Sequence, residues 1–197
     1  DNHETAAAAQ YERALKINPD DAVAHNNLGV VFGKQGNSVQ AAAQYERAIQ
    51  IDPAHADAHI NLAIHLTNAR SYTEALKHYR KVLELRPDHT WTYYDRSMVS
   101  LANNLAWILA TNPDAKIRNG AEAIRHAKAA VAATGGDEPG FLDTLAAAYA
   151  EVGKFSEAVK TAQRALSAVT AKKQVDLAEQ IESRLKTYQR GEPYRPE

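Results

Sequence analysis

Apolar residues recur at intervals of three or four along most of the chain, and no segment alternates between apolar and polar residues. The first spacing is that of one face of an α-helix, whereas alternation would indicate a β-strand. The pattern therefore predicts an all-α protein. The clearest single case is the stretch from Thr90 to Ala110, which contains neither Gly nor Pro and predicts one helix of about 20 residues.

The apolar pattern also repeats at a longer interval. Pro19, Pro53 and Pro87 are spaced 34 residues apart, and they close the similar segments QYERALKINPD, QYERAIQIDPA and HYRKVLELRPD. A fixed period of this length is typical of a helical hairpin that is repeated along the chain. One such hairpin cannot bury its apolar face alone, so the pattern predicts that neighbouring hairpins stack.

These columns resemble the tetratricopeptide repeat (TPR) family, whose unit is a helix-turn-helix of 34 residues with small residues where the helices cross. The matching residues of the two cleanest copies are Leu28, Gly29, Phe32, Ala41, Tyr45, Ala48 and Pro53, followed by Leu62, Ala63, Leu66, Ala75, Tyr79, Val82 and Pro87. The resemblance implies a right-handed superhelical solenoid of antiparallel helix hairpins, in which the first helices line a concave surface. It also implies that this surface binds protein or extended peptide.

The repeat boundaries divide the chain into seven segments. We expect residues 1–21 to be the second helix of a truncated first repeat, 22–55 and 56–89 to be repeats, 90–138 an expanded repeat with a long first helix, 139–170 a further repeat, 171–190 a capping helix and 191–197 a frayed tail. Because the first segment lacks its own first helix, we expect that further repeats precede it in a longer protein or that another chain covers it.

Charge and composition limit the classes of partner that the chain is expected to bind. The chain has 23 basic and 24 acidic residues and a formal net charge of −1, which provides no positive field for nucleic acid. It has no Cys, and no apolar run approaches the roughly 20 residues of a membrane-spanning helix. We expect no nucleic-acid partner and no membrane insertion by this segment. The sequence does not distinguish a cytoplasmic from a periplasmic location.

Catalytic motifs are missing from the sequence, which has no Gly-rich phosphate loop, no nucleophile elbow and no HExxH pair. His55 and His59 are four residues apart, which is a spacing of metal ligands on a helix, but no third ligand is suitably placed. We interpret His59 as a packing residue of a hairpin. We therefore expect a protein that is not an enzyme and that holds neither cofactor nor metal.

Asparagines form the candidate binding site. Asn27, Asn61 and Asn104 each precede a Leu-small pair of a first helix, although Asn is a poor helix former. By the family resemblance they align on the concave surface, similar to the asparagine ladder of O-linked N-acetylglucosamine transferase, which binds peptide backbone. With the adjacent Asn26, they are our candidate peptide-binding residues. Alternatively, they bridge neighbouring first helices structurally. In the last copy Thr144 takes this column, so the row ends there.

Two further features bear on the ligand. Nine extra residues lie within DHTWTYYDRSMVSLANN, at the start of the third first helix. The extra turns either pack on the preceding repeat or place Trp91, Tyr93 and Tyr94 at the lip of the peptide groove. The carboxylate clamp of the chaperone-binding members of the family needs basic residues on the first helices. The corresponding positions here are Asn26, Ser100 and Asn104, so we do not expect a chaperone tail as the ligand.

Two alternative functions are consistent with the same sequence. Tyr11, Leu15 and Ile17 of the unpaired first helix predict an apolar patch that could join copies into a self-associating scaffold. The segment from NNLAWIL to YQRGEPYR resembles the closing part of bacterial repeat proteins, some of which carry a membrane glycosyltransferase domain. On that resemblance the chain could be a regulatory or targeting module of a larger enzyme.

Overall fold

The computed structural model describes residues 2–86, 96–171 and 174–196 of the chain. In these ranges it forms ten α-helices and no strand. The helices are α1 (Asn2–Ile17), α2 (Ala22–Lys34), α3 (Ser38–Ile51), α4 (Ala56–Asn68), α5 (Tyr72–Leu85), α6 (Arg96–Thr111), α7 (Gly120–Ala133), α8 (Pro139–Glu151), α9 (Phe155–Ala171) and α10 (Val175–Gln189). The all-α prediction is confirmed. The chain divides into two compact units, Asp1–Asp88 and His89–Glu197, which are described separately.

The first unit consists of α1 and two hairpins, α2–α3 and α4–α5. Successive helices pack on one another, and the most extensive contacts lie within the hairpins. The turn of each hairpin requires a residue in the left-handed region at an equivalent position, which is Gly36 (φ 78°) in the first hairpin and Arg70 (φ 60°) in the second. Glycine adopts this conformation without steric cost, whereas the Cβ of Arg70 crowds the neighbouring carbonyl oxygen and strains the backbone.

Each first helix of this unit begins with a side-chain cap. Asp21 Oδ1 accepts a hydrogen bond of 2.9 Å from the amide of Ala24 at the start of α2. At the equivalent position of α4, His55 Nδ1 accepts a bond of 3.3 Å from the amide of Ala58. Such a cap satisfies one of the free amides at a helix N-terminus. His55 in the turn between repeats is therefore the N-cap of α4.

Small residues set the distance between the helices of a hairpin. Leu28, Ala41 and Tyr45 are buried where α2 crosses α3. A Cβ atom added to Gly29 would lie 2.6 Å from Cε1 of Tyr45 and 3.1 Å from the carbonyl oxygen of Ala41. The two helices therefore approach so closely that only Gly fits at this position of α2 while Tyr45 occupies the crossing.

The unpaired helix α1 is covered on one side only. Ala8, Tyr11 and Leu15 pack against Leu28 and Val31 of α2, so Tyr11 and Leu15 are half-buried. The predicted apolar patch is thus smaller than the sequence suggested, although Ile17 is 86% exposed.

The comparison with α3 shows what α1 lacks. Ala41 and Ala48, at 1% and 0% exposure, are covered by α2 and α4. The residues that lie 34 positions earlier are Ala7, which is half-buried, and Ala14, which is exposed. In the described residues no helix takes the place next to α1 that α2 takes next to α3.

The second unit consists of the hairpins α6–α7 and α8–α9 and of α10, which packs on α9 and also touches α8. The described part of the predicted long helix is α6, from Arg96 to Thr111. Residues 87–95 lie outside the described part, and so does the question of whether the helix begins at Thr90. The longer connection between α6 and α7 is held by Arg118, whose Nη1 donates to the carbonyl oxygens of Asn112 at 2.8 Å and Pro113 at 2.9 Å.

The prediction that the last residues are frayed is wrong for 191–196. Arg195 Nη1 donates a hydrogen bond of 3.3 Å to the carbonyl oxygen of Ala110 at the end of α6. The ring centroid of Tyr194 lies 6.0 Å from that of Trp107. The polar composition of the segment suggested disorder, but an aromatic and a guanidinium side chain anchor it to the second unit.

The close crossing of α2 and α3 can be tested with two matched variants of α2. Gly33→Ala should leave stability unchanged or raise it by up to about 1 kcal/mol, because Ala favours the helix and the new Cβ would be 3.6 Å from its nearest neighbour. The free energy of unfolding of Gly29→Ala should instead be about 1–3 kcal/mol lower than that of Gly33→Ala, because the new Cβ would overlap the Tyr45 ring. Urea unfolding followed by circular dichroism measures both. Equal stability of the two variants would contradict the described crossing.

Candidate peptide-binding surface

Three of the four predicted asparagines meet in the first unit, where they form what we call the amide row: Asn26 and Asn27 of α2 and Asn61 of α4. Asn61 Nδ2 donates a hydrogen bond of 2.9 Å to Asn26 Oδ1, which joins the two first helices across a separation of 35 residues. Asn26 Nδ2 lies 3.4 Å from Asn27 Oδ1, which makes a weaker bond. The Asn26–Asn61 bond therefore bridges the two first helices, between residues that are 35 positions apart and not the 34 of one repeat column.

The three amides differ in what they offer to a ligand. Asn26 is only 6% exposed, and its carbonyl oxygen is occupied by Asn61. Asn27 and Asn61 are half-buried. The described bonds engage the oxygen of Asn27 and one amide hydrogen of Asn61, which leaves the Asn27 amino group and the Asn61 oxygen without a described partner. A donor and an acceptor remain, as the binding of a peptide backbone requires.

The other predicted site residues are not brought to the amide row by the described structure. Asn104 lies half-buried on α6 in the second unit, next to Asn103, whose Oδ1 is buried and without a partner among the described residues. Its alignment with Asn27 and Asn61 stays a prediction. Trp91 and Tyr94 lie outside the described residues, so neither the groove lip nor the packing alternative is tested for them.

A buried ion pair in the second unit was missed by the sequence reasoning. Arg184 of α10 makes two contacts with Asp143 of α8, of 2.9 Å from Nε to Oδ1 and 2.7 Å from Nη2 to Oδ2. The residues are only 6% and 4% exposed. Burial raises the pKa of the Asp143 carboxyl, while the Arg184 guanidinium counteracts that rise. A two-point contact of this kind fixes both side chains and holds α10 on α8.

This ion pair supports an aromatic platform. The guanidinium carbon of Arg184 lies 5.4 Å from the ring centroids of both Trp107 and Tyr194. A cation at this distance is attracted to the face of an aromatic ring. Arg195 adds a second anchor beside the first, because its guanidinium also pairs with the carboxylate of Glu151 at the end of α8.

A sequence signal for this cluster existed. Asp143 stands between Leu142 and Leu145 on a helix that is otherwise almost entirely apolar, and Arg184 shares a helix face with Ile181 and Leu185. Charged residues are rarely buried unless they are paired. Two opposite charges on two apolar faces therefore predict a buried pair, although the sequence does not give the helix packing that joins them.

The second polar cluster is a histidine pair in the first unit. His59 Nδ1 of α4 lies 2.8 Å from His78 Nδ1 of α5, and His59 Nε2 lies 3.2 Å from the carbonyl oxygen of Pro53. His59 Nε2 must donate to that carbonyl, so His59 Nδ1 is an acceptor and His78 Nδ1 the donor when both rings are neutral. The preceding repeat has Gln44 in place of the second histidine, with Oε1 at 2.6 Å from His25 Nδ1.

Protonation acts against this arrangement. Burial lowers the pKa of both His59 and His78, and mutual repulsion lowers that of His78 further. One added proton can be accommodated by a change of tautomer, but a second would place two N–H groups opposite each other. The charged or titratable groups that act on the pair are Asp52, His55, Glu74, Lys77 and Lys81.

Family comparisons agree with the repeated helical hairpins of the first unit. The model described as TPR repeat matches residues 5–36, and the model described as tetratricopeptide repeat matches residues 32–90. Residues 5–90 therefore belong to the tetratricopeptide repeat family. The repeats of this TPR protein form an all-α helical solenoid. A search of curated proteins by sequence gave no match.

Solved structures share the fold of the TPR chain. One is YrrB, "a TPR protein with an unusual peptide-binding site", at 17% identity and a TM-score of 0.66, covering 92% of this chain and 93% of that one. Another is MamA, at 17% identity and a TM-score of 0.64, covering 85% and 89%. A mutant O-GlcNAc transferase of Thermobaculum terrenum is 26% identical with a TM-score of 0.52, over 66% of this chain but only 22% of that one.

Metal-ligand groups and membrane-spanning helices are both absent from the described part of the TPR chain. No three or more His, Cys, Asp or Glu side chains are grouped there in a way that could hold a metal ion. None of the helices there is both long and apolar enough to cross a membrane.

The histidine pair generates a prediction on pH. Because the folded pKa values are lowered, the folded protein binds fewer protons than the unfolded chain just below about pH 6.5, so stability should fall as the pH drops from that value. His78→Gln reproduces the His25–Gln44 pair and should reduce this fall. Urea unfolding at about pH 7.5 and 5.5 compares the two proteins. An unchanged pH dependence in His78→Gln would show that the pair is not responsible.

Proposed function

We propose that the TPR chain is a non-catalytic scaffold that binds a protein partner through an extended peptide, and that the amide row of the first unit contacts the peptide backbone. The observation that carries the proposal is the placement of Asn27 and Asn61 on adjacent first helices, connected through Asn26. The similarity to YrrB, a TPR protein with a peptide-binding site, supports a peptide as ligand.

The chemistry of the amide row suits backbone better than side chains. Each peptide unit of an extended ligand offers one N–H and one C=O, and an amide side chain can satisfy either. The Asn26–Asn61 bond fixes the position of the Asn61 amide before a ligand arrives. A pre-positioned group loses less conformational entropy on binding, so it contributes more to affinity. Since the backbone is the same in every sequence, these contacts supply affinity with little preference for ligand side chains.

Two substitutions separate the proposed binding role from the bridging role. Asn27→Ala removes an amino group without a described partner and only a weak 3.4 Å bond, so it should leave stability nearly unchanged. Asn61→Ala removes the bridge and leaves the buried oxygen of Asn26 unsatisfied, at a cost of about 1–3 kcal/mol of stability. Asn68 is an exposed residue of α4, the helix that carries Asn61, so Asn68→Ala is the control variant.

Peptides selected on the wild-type chain from a random phage-displayed library provide the probe, and fluorescence polarisation measures their affinity. Asn27→Ala should weaken selected peptides about 3- to 10-fold, as expected for the loss of one hydrogen bond of about 0.5–1.5 kcal/mol. Asn68→Ala should bind like wild type. If Asn27→Ala binds every selected peptide as tightly as wild type, the amide row is structural only.

Self-association through α1 is the second candidate function, and a specific observation favours it. The face of α1 that corresponds to the buried face of α3 carries the half-buried Ala7 and the exposed Ala14, with Ile17 exposed nearby. Because this face has the small-residue pattern that packs against a first helix elsewhere in the chain, a second copy can supply apolar surface to cover it.

A pair of identical substitutions tests this candidate. Ala14→Glu places a charge on the uncovered face of α1, and Ala9→Glu places the same charge on an exposed position of the opposite face. If copies associate through α1, light scattering after size exclusion should show an oligomer for wild type and Ala9→Glu and a monomer for Ala14→Glu. A wild-type chain that is monomeric at tens of micromolar would rule the candidate out.

A further inference from the structure

In the second unit, residues 192–196 occupy a surface that has the form of a peptide-binding site. We call this surface the tail site and define it by Trp107 and the Ala110 carbonyl of α6, Glu151 of α8 and Arg184 of α10. The Tyr194 ring lies 6.0 Å from that of Trp107 and 5.4 Å from the guanidinium carbon of Arg184. The occupying segment follows α10 and is neither helix nor strand.

The contacts are those by which an extended peptide is held. Arg195 reaches both a backbone carbonyl, at 3.3 Å on Ala110, and a carboxylate, on Glu151. Proline follows Glu192 and Arg195, which restricts both residues to extended conformations. The segment is thus conformationally limited before it binds, and such a ligand loses little entropy on binding.

The tail site is built without help from the segment that fills it. Arg184 is oriented by its two bonds to Asp143, both of them buried residues. Glu151 is held by a second guanidinium, since Arg118 Nε donates a bond of 2.9 Å to its other oxygen. If residues 192–196 left, the positioned Glu151 oxygen, the Trp107 ring and the Arg184 guanidinium would remain.

Solvent exposure separates the segment from the residues beneath it. The segment lies at the surface of the second unit, whereas Arg184 and Asp143 lie inside the unit. The Arg195 side chain is 30% exposed in its pair with Glu151, against 7% and 5% for the side chains of Arg184 and Asp143 beneath it. The Arg195–Glu151 pair is partly buried, and a pair that solvent reaches on one side is screened more than the fully buried pair of Arg184 and Asp143. The segment can therefore leave at a lower cost than any helix of the unit.

We propose that residues 192–196 are an intramolecular ligand of the tail site, and that this site binds an extended segment of a partner protein that carries an aromatic residue followed by Arg and Pro. The bound tail blocks the site, and a partner segment competes with it. The proposal does not depend on the amide row, which lies in the other unit.

The test uses a fluorescein-labelled peptide of sequence GEPYRPE and the full chain. The variant Tyr194→Ala/Arg195→Ala should vacate the site while it keeps the chain length. Glu192→Ala is the matched control, because Glu192 pairs only with Arg190, outside the site, in the described contacts. Fluorescence polarisation should show binding to the double variant at least tenfold tighter than to wild type or Glu192→Ala. A peptide with both Tyr and Arg replaced by Ala should not bind.

A further variant locates the bound peptide. Adding Glu151→Gln to the double variant removes the charge that Arg195 pairs with, and it should weaken the peptide at least tenfold. The proposal is overturned if the folded double variant fails to bind the peptide, if wild type binds equally well, or if Glu151→Gln has no effect. A double variant that does not fold, as seen by circular dichroism, also overturns it, because the segment would then be part of the core.

Discussion

The close crossing of the two helices in a hairpin is the contact on which the first unit depends. At this crossing Tyr45 lies against the backbone of Gly29, and the space between them has no room for a methyl group. Because a protein interior is packed at nearly crystalline density, this contact determines how far α2 stands from α3. In the next hairpin Ala63 takes the position of Gly29 and Tyr79 that of Tyr45, and both are fully buried. That crossing accommodates the methyl group which the first one excludes.

The packing of neighbouring hairpins also brings polar residues of the first helices together. When α2 and α4 are held side by side, the side chains of Asn26 and Asn61 come within hydrogen-bond distance, although 35 residues separate them. The poor helix propensity of Asn is then offset by a bond between helices. The asparagines therefore serve the packing of the repeats and leave donor and acceptor groups for a ligand at the same time.

The sequence was sufficient for features that are repeated and insufficient for those that occur once. The 34-residue period predicted the hairpins and the small-residue columns, since each is encoded several times, but the observed bond joins Asn61 to Asn26 and not to Asn27, which shares its column. The buried pair of Asp143 and Arg184 was not predicted, because it requires the packing of α10 against α8. The tail was wrongly expected to be frayed for the same reason: Tyr194 and Arg195 find their partners on α6 and α8, far away in sequence.

We propose that the surface formed by the first helices binds peptide backbone through asparagine amides. Nuclear magnetic resonance tests it most directly, since the side-chain NH₂ groups of Asn27 and Asn61 give signals of their own in a ¹⁵N-labelled chain. On addition of a peptide selected on the chain, these signals should shift together with backbone amides of α2 and α4. Shifts confined to the second helices α3 and α5, with the asparagine signals unchanged, would contradict the claim.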